Sequence, residues 1–427
     1  MLNWRRLLTS ARLAPVSDRG IPEVRTQLEI DRDRILFSSV FRRLEDKTQV
    51  FPLQSGGQLR NRLTHSHEVS VLARSVVASL PAQDLPGLDA STLRHFLGLI
   101  EAISLAHDLG NPPFGHKGEK AISSWFAGRG STWIPAGMED DFHNFDGNAQ
   151  TFRILTRVPS VSAQSRGMNL CASTLAGIVK YPSPLGRKRS YFAEDAETYS
   201  WARAECGLER GERHPATAIM EACDDVAYLV ADVEDCLTAG LFEVQDVFDA
   251  LRAFEVSEAF AQLEARVTAK HCEFVTAGLA PATASRMTGP YFRSMAIAHL
   301  LSPLAAAFAA SAQKGDFRRS LLDHPSPSTG LWRTLKAFGS TQIYGHAQVS
   351  ASEARGIEAI GEALDLLSTG RVEDIGGHLP LEVMLDFVTG PIEARHLVDA
   401  VSLMTDHQVV DFAEWARRTA PGIGAAP

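Results

Sequence analysis

The sequence predicts a mainly α-helical protein. Apolar residues recur with the i, i+3, i+4, i+7 spacing of an amphipathic helix in three long segments, 62–80, 92–108 and 217–237. Runs that alternate apolar and polar residues, which are typical of half-buried strands, are scarce. Hydrophobic residues make up 45% and charged residues 22% of the 427 residues, as in folded globular chains. We therefore expect an all-α fold.

Each predicted helix follows from its own stripe of apolar residues. The first segment carries Leu63, Val69, Leu72, Ala73, Val76, Val77 and Leu80. The second carries Leu93, Phe96, Leu97, Ile100, Ile103 and Leu105. The third carries Ile219, Met220, Val226, Val230 and Val233. Because each stripe covers one side of a helix, we expect the three helices to bury these sides in the core.

The most apolar stretch, 295–312, is rich in alanine and also contains His299, Ser302 and Pro303. Proline interrupts a helix, since it lacks the N–H group and clashes with the preceding turn. We therefore expect a buried helix broken at Pro303 and no membrane span.

Charge and cysteine usage narrow the class of protein. The formal net charge is −9, which argues against a protein that coats nucleic acid or binds membranes through basic residues. The five cysteines show no CxxC spacing and are expected to be reduced thiols. The N-terminus has no uninterrupted apolar run and no small-residue cleavage site. We expect a cytoplasmic protein.

Four residues are candidate metal ligands: His65, the adjacent pair His107 and Asp108, and Asp224. Imidazole and carboxylate groups are the ligands expected of Mn, Fe, Zn or Mg. His107 and Asp108 are about 100° apart around a helix, so both reach one ion only at the helix end. Gly110-Asn111-Pro112-Pro113 ends the helix there. Taken singly, a His-Asp pair is weak evidence in a chain with 14 histidines.

The segments around these residues resemble a known family. Four motifs follow one another in family order: RLTHSHEV at 62–69, HDLGNPPFGHKGE at 107–119, FDGNAQTFRILT at 145–156 and RHPATAIMEACDDVAY at 213–228. Shorter matches lie at 25–26, 31–38 and 41–52. Together they resemble the deoxyguanosine triphosphate triphosphohydrolase (dGTPase) family of the HD-domain metallohydrolases, over residues 25 to about 240.

This resemblance implies a division of the chain. We expect an N-terminal segment over 1–24, an HD-type helical core over 25–270, additional C-terminal helices over 271–417 and a frayed tail over 418–427. The C-terminal helices would complete the substrate pocket or support oligomerisation. Their segment 399–406 only partly matches the family's DYIAGMTD, and Arg293 suggests a second cationic contact.

The resemblance implies that His65, His107, Asp108 and Asp224 together hold one divalent ion. It does not decide whether that ion is Mn²⁺, Mg²⁺, Fe²⁺ or Zn²⁺. Asp225 could be mistaken for the last ligand, but the family places the ligand four residues before a tyrosine.

That tyrosine, Tyr228, is implied to pack on the deoxyribose, and Asp232 to hydrogen-bond its 3′-hydroxyl. The alternative for Tyr228 is an ordinary half-buried aromatic residue.

His116 and Glu119 are the implied catalytic pair, with His116 as general acid or base at the reacting phosphate. Their i, i+3 spacing puts imidazole and carboxylate on one helical turn, so Glu119 can orient His116 and raise its basicity. His67 lies two residues beyond His65 on another helix face, and we interpret it as structural.

A triphosphate carries about four negative charges near neutrality, so an acidic protein needs cations in its pocket. Arg62, three residues before His65, is the best α-phosphate contact. The resemblance adds phosphate and sugar contacts by Lys180 and Tyr181. Gln54 is a further candidate for the base or sugar.

Two amides and three arginines each have both a functional and a structural interpretation. Asn148 and Gln150 line the cavity or cap and support the backbone. Arg34, Arg42 and Arg43 bind phosphate or form internal ion pairs with Asp31, Asp33 or Asp46.

The resemblance implies metal-dependent hydrolysis of deoxynucleoside triphosphates, with dGTP among the substrates, to deoxynucleoside and inorganic triphosphate. Homo-oligomers, commonly hexamers, are also implied. Three alternatives remain: another HD-domain phosphomonoesterase or phosphodiesterase reaction, a non-catalytic nucleotide sensor, and single-stranded nucleic-acid binding, to which the negative charge gives no support.

Overall fold

The structure is a computed structural model that describes residues 2–15, 22–49, 60–162, 165–183, 188–254, 257–343, 347–369, 376–389 and 391–419. Over these residues the protein is all-α, as the sequence predicts, and its regular sheet is one short antiparallel hairpin. The helices are α1 Trp4–Leu7, α2 Gln27–Leu36, α3 Ser39–Arg42, α4 Arg62–Ala78, α5 Ala90–Ala106, α6 Gly115–Ala127, α7 Glu139–His143, α8 Gly147–Thr156, α9 Ala172–Gly177, α10 Ala196–Glu205, α11 Pro215–Ala239, α12 Val244–Leu251, α13 Glu258–Thr276, α14 Pro281–Leu301, α15 Leu304–Lys314, α16 Thr329–Phe338, α17 Ala347–Ser368, α18 Leu381–Thr389, α19 Ala394–Leu403 and α20 Asp406–Thr419. The strands are β1 Pro159–Ser162 and β2 Ser165–Arg166.

Helices α4, α5 and α11 form the centre of the fold and pack against one another. They correspond to the three predicted helices, and their ends follow from local chemistry. The Asp89 carboxylate accepts the N–H of Thr92 at 2.7 Å and caps α5. Pro215 occupies the first turn of α11, and Gly240 ends that helix with a φ of 72°. Since α5 ends at Ala106, His107 and Asp108 lie just past a helix end.

The apolar stretch around 295–312 forms the end of α14 and most of α15, which are separated at Ser302 and Pro303. By length and composition, Pro281–Lys314 is the one helical stretch of the described residues that could cross a membrane. Helix α14 packs on α11 and α13 and buries Phe292, Ala296 and Leu300. One side of α14 is thus buried in the core of the fold.

The C-terminal helices pack directly on the motif-bearing part of the chain. Helix α17 lies against α6 and α20. At Gly356 of α17 an added Cβ would come within 2.4 Å of the Phe114 ring, so the Phe114 side chain packs directly on the α17 backbone. The predicted domain boundaries remain predictions, and most of the predicted tail, from residue 420 onward, lies outside the described residues.

Candidate metal centre

Three of the predicted ligands converge from different helices. His65 lies in the first turns of α4, His107 follows the last residue of α5, and Asp224 lies in the middle of α11. His65 Nε2 lies 3.0 Å and His107 Nε2 3.4 Å from Asp224 Oδ1. One ligand atom from each residue lies within 4.8 Å of the others. This group could hold a divalent metal ion.

The protonation of His107 fits a metal ligand. Its Nδ1 lies 2.7 Å from the carbonyl oxygen of Ser104, which accepts a hydrogen bond only if Nδ1 carries the proton. In the neutral ring Nε2 then presents a lone pair, and this buried atom has no hydrogen-bond partner among the described residues. Burial disfavours the charged ring, but the carboxylates of Asp108 and Asp224 outweigh that effect and raise the pKa of His107. A dication placed among these groups would satisfy both the lone pair and the carboxylates.

Asp108 lies beside this group. Its Oδ1 is 3.5 Å from His107 Nε2. Its Oδ2 accepts a hydrogen bond from Arg62 Nη1 at 2.8 Å, and Oδ1 accepts one from Asn111 Nδ2. Burial opposes ionisation, yet His107 and Arg62 lower the pKa of Asp108 to about 2. The carboxylate is thus charged and shared between Arg62 and the candidate centre, and its role as a ligand remains a prediction.

Two half-buried cations border the centre. Lys180 Nζ donates to Asp224 Oδ2 at 2.8 Å, opposite the two imidazoles. Burial disfavours the ammonium, but Asp224 raises the pKa of Lys180, so it is charged. Arg62 makes the corresponding hydrogen bond to the Asp108 carboxylate. A polyanion bound at the centre would therefore meet two positive side chains next to the ligand carboxylates.

His116 and Glu119 lie on α6, as their spacing predicts. His116 Nδ1 is 2.7 Å from Glu119 Oε2, and Glu119 Oε1 accepts the backbone N–H of Gly147 at 2.8 Å. Glu119 is thereby anchored to α8 while it orients His116. The His116 side chain is 87% exposed, so its other ring nitrogen is accessible to a ligand. The Glu119 carboxylate raises the pKa of His116.

The predicted sugar contacts lie along α11. The Tyr228 ring meets His65 edge to face, with ring centroids 6.4 Å apart. Asp232 follows one turn later and is buried.

Tyr181 lies next to Lys180 in the chain, and the Lys188 ammonium donates to its hydroxyl at 3.3 Å. Gln54 lies outside the described residues.

For Asn148 and Gln150, sequence analysis left open whether they line the cavity or support the backbone, and in the structure both make supporting contacts. Asn148 Nδ2 donates to Asp146 Oδ1 at 2.9 Å, at the start of α8. Gln150 is buried, and its Nε2 donates to Asp399 at 2.7 Å. Both amides thus support α8.

The arginines left open also make internal contacts in the structure. Arg43 pairs with Glu382 at 3.0 Å. Arg42 donates to the Phe37 carbonyl at 3.0 Å, and Arg34 donates to that of Met168, also at 3.0 Å.

One further arginine, Arg293, and one further histidine, His67, have structural partners. Arg293 pairs with Glu234 at 3.0 Å. His67 packs on Phe41 with ring centroids 5.4 Å apart, in line with a structural role.

Sequence reasoning assigned Lys47 no partner, whereas in the structure it joins the site to the C-terminal helices. Its buried ammonium donates to the carbonyl oxygens of Asn111 and Ser402, both at 2.6 Å. Burial and the nearby Arg62 lower the pKa of Lys47 to about 7. Lys47 stands inside the 41–52 motif, but no local spacing identifies a partner 355 residues away.

The fold and this His/Asp group define an all-α protein with a candidate divalent-metal centre. No protein-family model matches the chain. Among curated relatives, a deoxyguanosinetriphosphate triphosphohydrolase-like protein of Pseudomonas aeruginosa strain LESB58 is 32% identical over 411 residues, which covers 89% of this chain and 88% of the relative. A protein of the same description from Listeria monocytogenes is 31% identical over 394 residues, covering 85% and 83%. A deoxyguanosinetriphosphate triphosphohydrolase of Serratia proteamaculans is 28% identical over 405 residues, covering 83% and 79%.

The chain therefore belongs to the deoxyguanosinetriphosphate triphosphohydrolase-like family, which confirms the resemblance found in the sequence. The names of its relatives associate this family with triphosphohydrolases.

Proposed function

We propose that this protein is a metal-dependent hydrolase that converts deoxynucleoside triphosphates, with dGTP among them, to deoxynucleoside and inorganic triphosphate. The observation that carries the proposal is the convergence of His65, His107 and Asp224 on one point, bordered by Arg62 and Lys180. Family membership supports the same reaction. A bound divalent metal supplies Lewis-acid polarisation of a phosphoryl oxygen and a water of lowered pKa.

The residues of the chain have separate tasks in this reaction. Arg62 and Lys180 bind the phosphate oxygens and offset the charge that spreads over them in the transition state. Tyr228 packs on the deoxyribose, and Asp232 accepts a hydrogen bond from its 3′-hydroxyl. These contacts fix the nucleotide with its α-phosphorus at the centre.

His116 moves the proton. The oxygen of water forms a bond to the α-phosphorus while the bond between that phosphorus and O5′ breaks, and the accessible nitrogen of His116 donates a proton to O5′. The water releases one proton to solvent as it bonds to phosphorus, and His116 regains a proton from solvent before the next turnover. Glu119 holds the opposite ring nitrogen and stabilises the protonated ring. Because cleavage occurs between the α-phosphorus and O5′, triphosphate leaves intact.

Incubation with each dNTP and Mn²⁺, Mg²⁺, Fe²⁺ or Zn²⁺, followed by separation of nucleosides and polyphosphates, tests the proposal and the choice of metal. We expect equal amounts of deoxynucleoside and triphosphate. Orthophosphate with a nucleoside diphosphate or monophosphate would instead indicate another phosphohydrolase reaction. Absence of turnover with nucleotide binding retained would indicate a sensor.

Assembly and location are part of the proposal as well. We propose a cytoplasmic homo-oligomer, and light scattering of the purified protein measures its mass. A protein that is monomeric at all concentrations would contradict the proposed oligomer but not the proposed reaction.

A further inference from the structure

The backbone just before His116 has an unusual conformation. Phe114 has a φ of 60° and Gly115 a φ of 54°. A non-glycine residue in the left-handed region is disfavoured and persists only where surrounding contacts impose it. A Cβ at Gly115 would lie 2.5 Å from Arg62 Nη2, so this turn also brings the backbone against the Arg62 guanidinium. We name residues 114–115 the elbow.

One buried carboxylate holds the elbow from the far end of the chain. Asp406, which is 1% exposed, accepts the N–H of Phe114 on Oδ1 at 3.0 Å. Helix α6 has no side-chain cap from its own N-cap residue. Asp406 accepts the N–H of that N-cap residue, Phe114, which is one of the N–H groups without a partner inside the helix.

The second oxygen of Asp406 holds the chain that leads to Arg62. Asp406 Oδ2 accepts the N–H of Thr48 at 3.0 Å and its hydroxyl at 2.6 Å. Thr48 forms an antiparallel bridge with Asn61, and the N–H of Arg62 donates to the carbonyl of Lys47 at 2.9 Å. The two oxygens of one side chain thus fix the segments that carry His116 and Arg62.

We propose that Asp406 is a positioning residue for the reaction, acting through the elbow on His116 and through Thr48 on Arg62. This inference rests on the proposed function for the roles of those two residues. The hydrogen bond by which Asp406 holds the elbow does not depend on the proposed function. Asp406 touches no reacting atom, so its effect has to pass through these two segments.

The principal test is Asp406→Asn in the full-length protein. The amide keeps the size of the side chain but turns an NH₂ group toward one of the N–H donors. We expect kcat for dGTP to fall about 10- to 100-fold, as for a displacement of roughly 1 Å at a reacting group. Bound metal should be unchanged, and the peptide spanning 113–117 should exchange its amide hydrogens faster.

Asp399→Asn is the matched control. Asp399 is 2% exposed, lies seven residues earlier and binds Gln150 and Arg153 on α8. Its substitution should lower stability without faster exchange at 113–117. Equal acceleration of that peptide in both variants would overturn the proposal, because it would indicate general loosening.

A double variant distinguishes positioning from a structural role. In a His116→Ala background, Asp406→Asn should lower kcat clearly less than it does in the wild type, because the route through His116 is already absent and only the route through Arg62 remains. A full multiplicative loss would overturn the inference. If the wild type hydrolyses no dNTP, the proposed function fails, while unchanged exchange at 113–117 in Asp406→Asn would separately contradict the positioning role.

Thr48→Val keeps the proposal testable if Asp406→Asn does not fold. Valine matches threonine in shape and removes only the hydroxyl donor to Oδ2. We expect KM to rise more than kcat falls, since only the Arg62 side is loosened. Unchanged KM and kcat would remove Thr48 and Arg62 from the proposal.

Discussion

At the scale of single residues, Asp224 and its neighbour Asp225 differ in what they face. Asp224 contacts His65, His107 and Lys180, and despite its burial these groups keep its pKa well below the ordinary value. For Asp225, burial and the charge of Asp224 raise the pKa to about 7. One carboxylate is therefore ready to bind a cation near neutrality, and the other is partly protonated.

We expect Asp224→Asn to weaken metal binding by about tenfold or more, since the loss of a direct ligand costs at least as much as that of a supporting partner. Asp225→Asn is the control and should keep its metal. Elemental analysis after gel filtration measures both. Equal metal content in the two variants would show that Asp224 is not a ligand.

His116 and Glu119 give a prediction about pH. Glu119 raises the pKa of His116, and a general acid works only in its protonated form, so kcat should fall as pH rises through that pKa. Glu119→Gln should lower the pKa toward about 6.5 and move this descending limb to lower pH. His116→Ala should lower kcat about 10²–10⁴-fold and remove the limb.

The pH–rate profiles of the wild type and both variants check this. A limb that stays at the same pH in Glu119→Gln would exclude Glu119 as the group that sets it.

These residues also show what a sequence can predict at this scale. The His116–Glu119 contact follows from an i, i+3 spacing on one helix, and the structure has it at 2.7 Å. Asp406 and Phe114 are 292 residues apart, so no local spacing relates them.

At the scale of secondary-structure elements, helix-length periodicity predicted α4, α5 and α11. Their ends differ from the predicted ones by about two residues, because Asp89, Pro215 and Gly240 decide where the helices begin and end. Helices α1, α3 and α7 have only four or five residues, too few for an apolar stripe to repeat. The hairpin formed by β1 and β2 was not predicted, because its strands have only four and two residues, too few for a repeating pattern to identify them.

The contact between the end of α5 and α8 depends on a glycine. A Cβ at Gly110 would lie 2.1 Å from the backbone nitrogen of Thr151 and 2.3 Å from the carbonyl oxygen of Gly147. These are backbone atoms, so a side chain can fit only if α8 moves. Since the Gly147 N–H anchors Glu119, that movement would also disturb the candidate catalytic pair.

We expect Gly110→Ala to lower the free energy of unfolding by about 1–3 kcal/mol or more, as overpacking does in close-packed cores. Gly377→Ala, where an added Cβ meets nothing within 4 Å, is the matched control and should be nearly neutral. Urea unfolding of both variants checks the difference. A stable Gly110→Ala protein would show that α8 can shift freely.

At the scale of the whole molecule, buried ion pairs join distant parts of the chain. Arg153 pairs with Asp399 at 2.8 Å, and Arg395 pairs with Asp141 at 2.6 Å. The Arg395 guanidinium also lies 3.9 Å from the centre of the Phe192 ring. Such partners are chosen by the packing of helices in three dimensions, so the sequence predicted an all-α fold without predicting which charges meet inside it.

His214 makes the stability of the whole molecule dependent on pH. Its Nε2 donates to the Leu7 carbonyl at 2.8 Å, and its Nδ1 accepts the Ala216 N–H, so the ring is neutral. Burial lowers its pKa to about 4. The unfolded state, with a pKa of about 6.5, binds more protons between these values. The free energy of unfolding should therefore decrease as pH falls from about 6.5 to 4, by about 3 kcal/mol in total.

Urea unfolding at pH 7 and pH 5 measures this loss. His214→Asn keeps an acceptor for the cap of α11 and should weaken the pH dependence. The exposed His143→Asn is the control and should retain it. Identical pH dependence in the wild type and His214→Asn would contradict the assignment.

The location of Asp399 and Asp406 has a consequence for how this chain can be divided. All four candidate ligands precede residue 270, so a shortened protein ending there would still contain the complete ligand set. It would lack Asp399, which is one of the two acidic partners of Arg153, and the acceptor for the Phe114 N–H. We therefore expect that the part of the chain with the candidate ligands does not function by itself, and that fusing it to another protein requires the chain through α20.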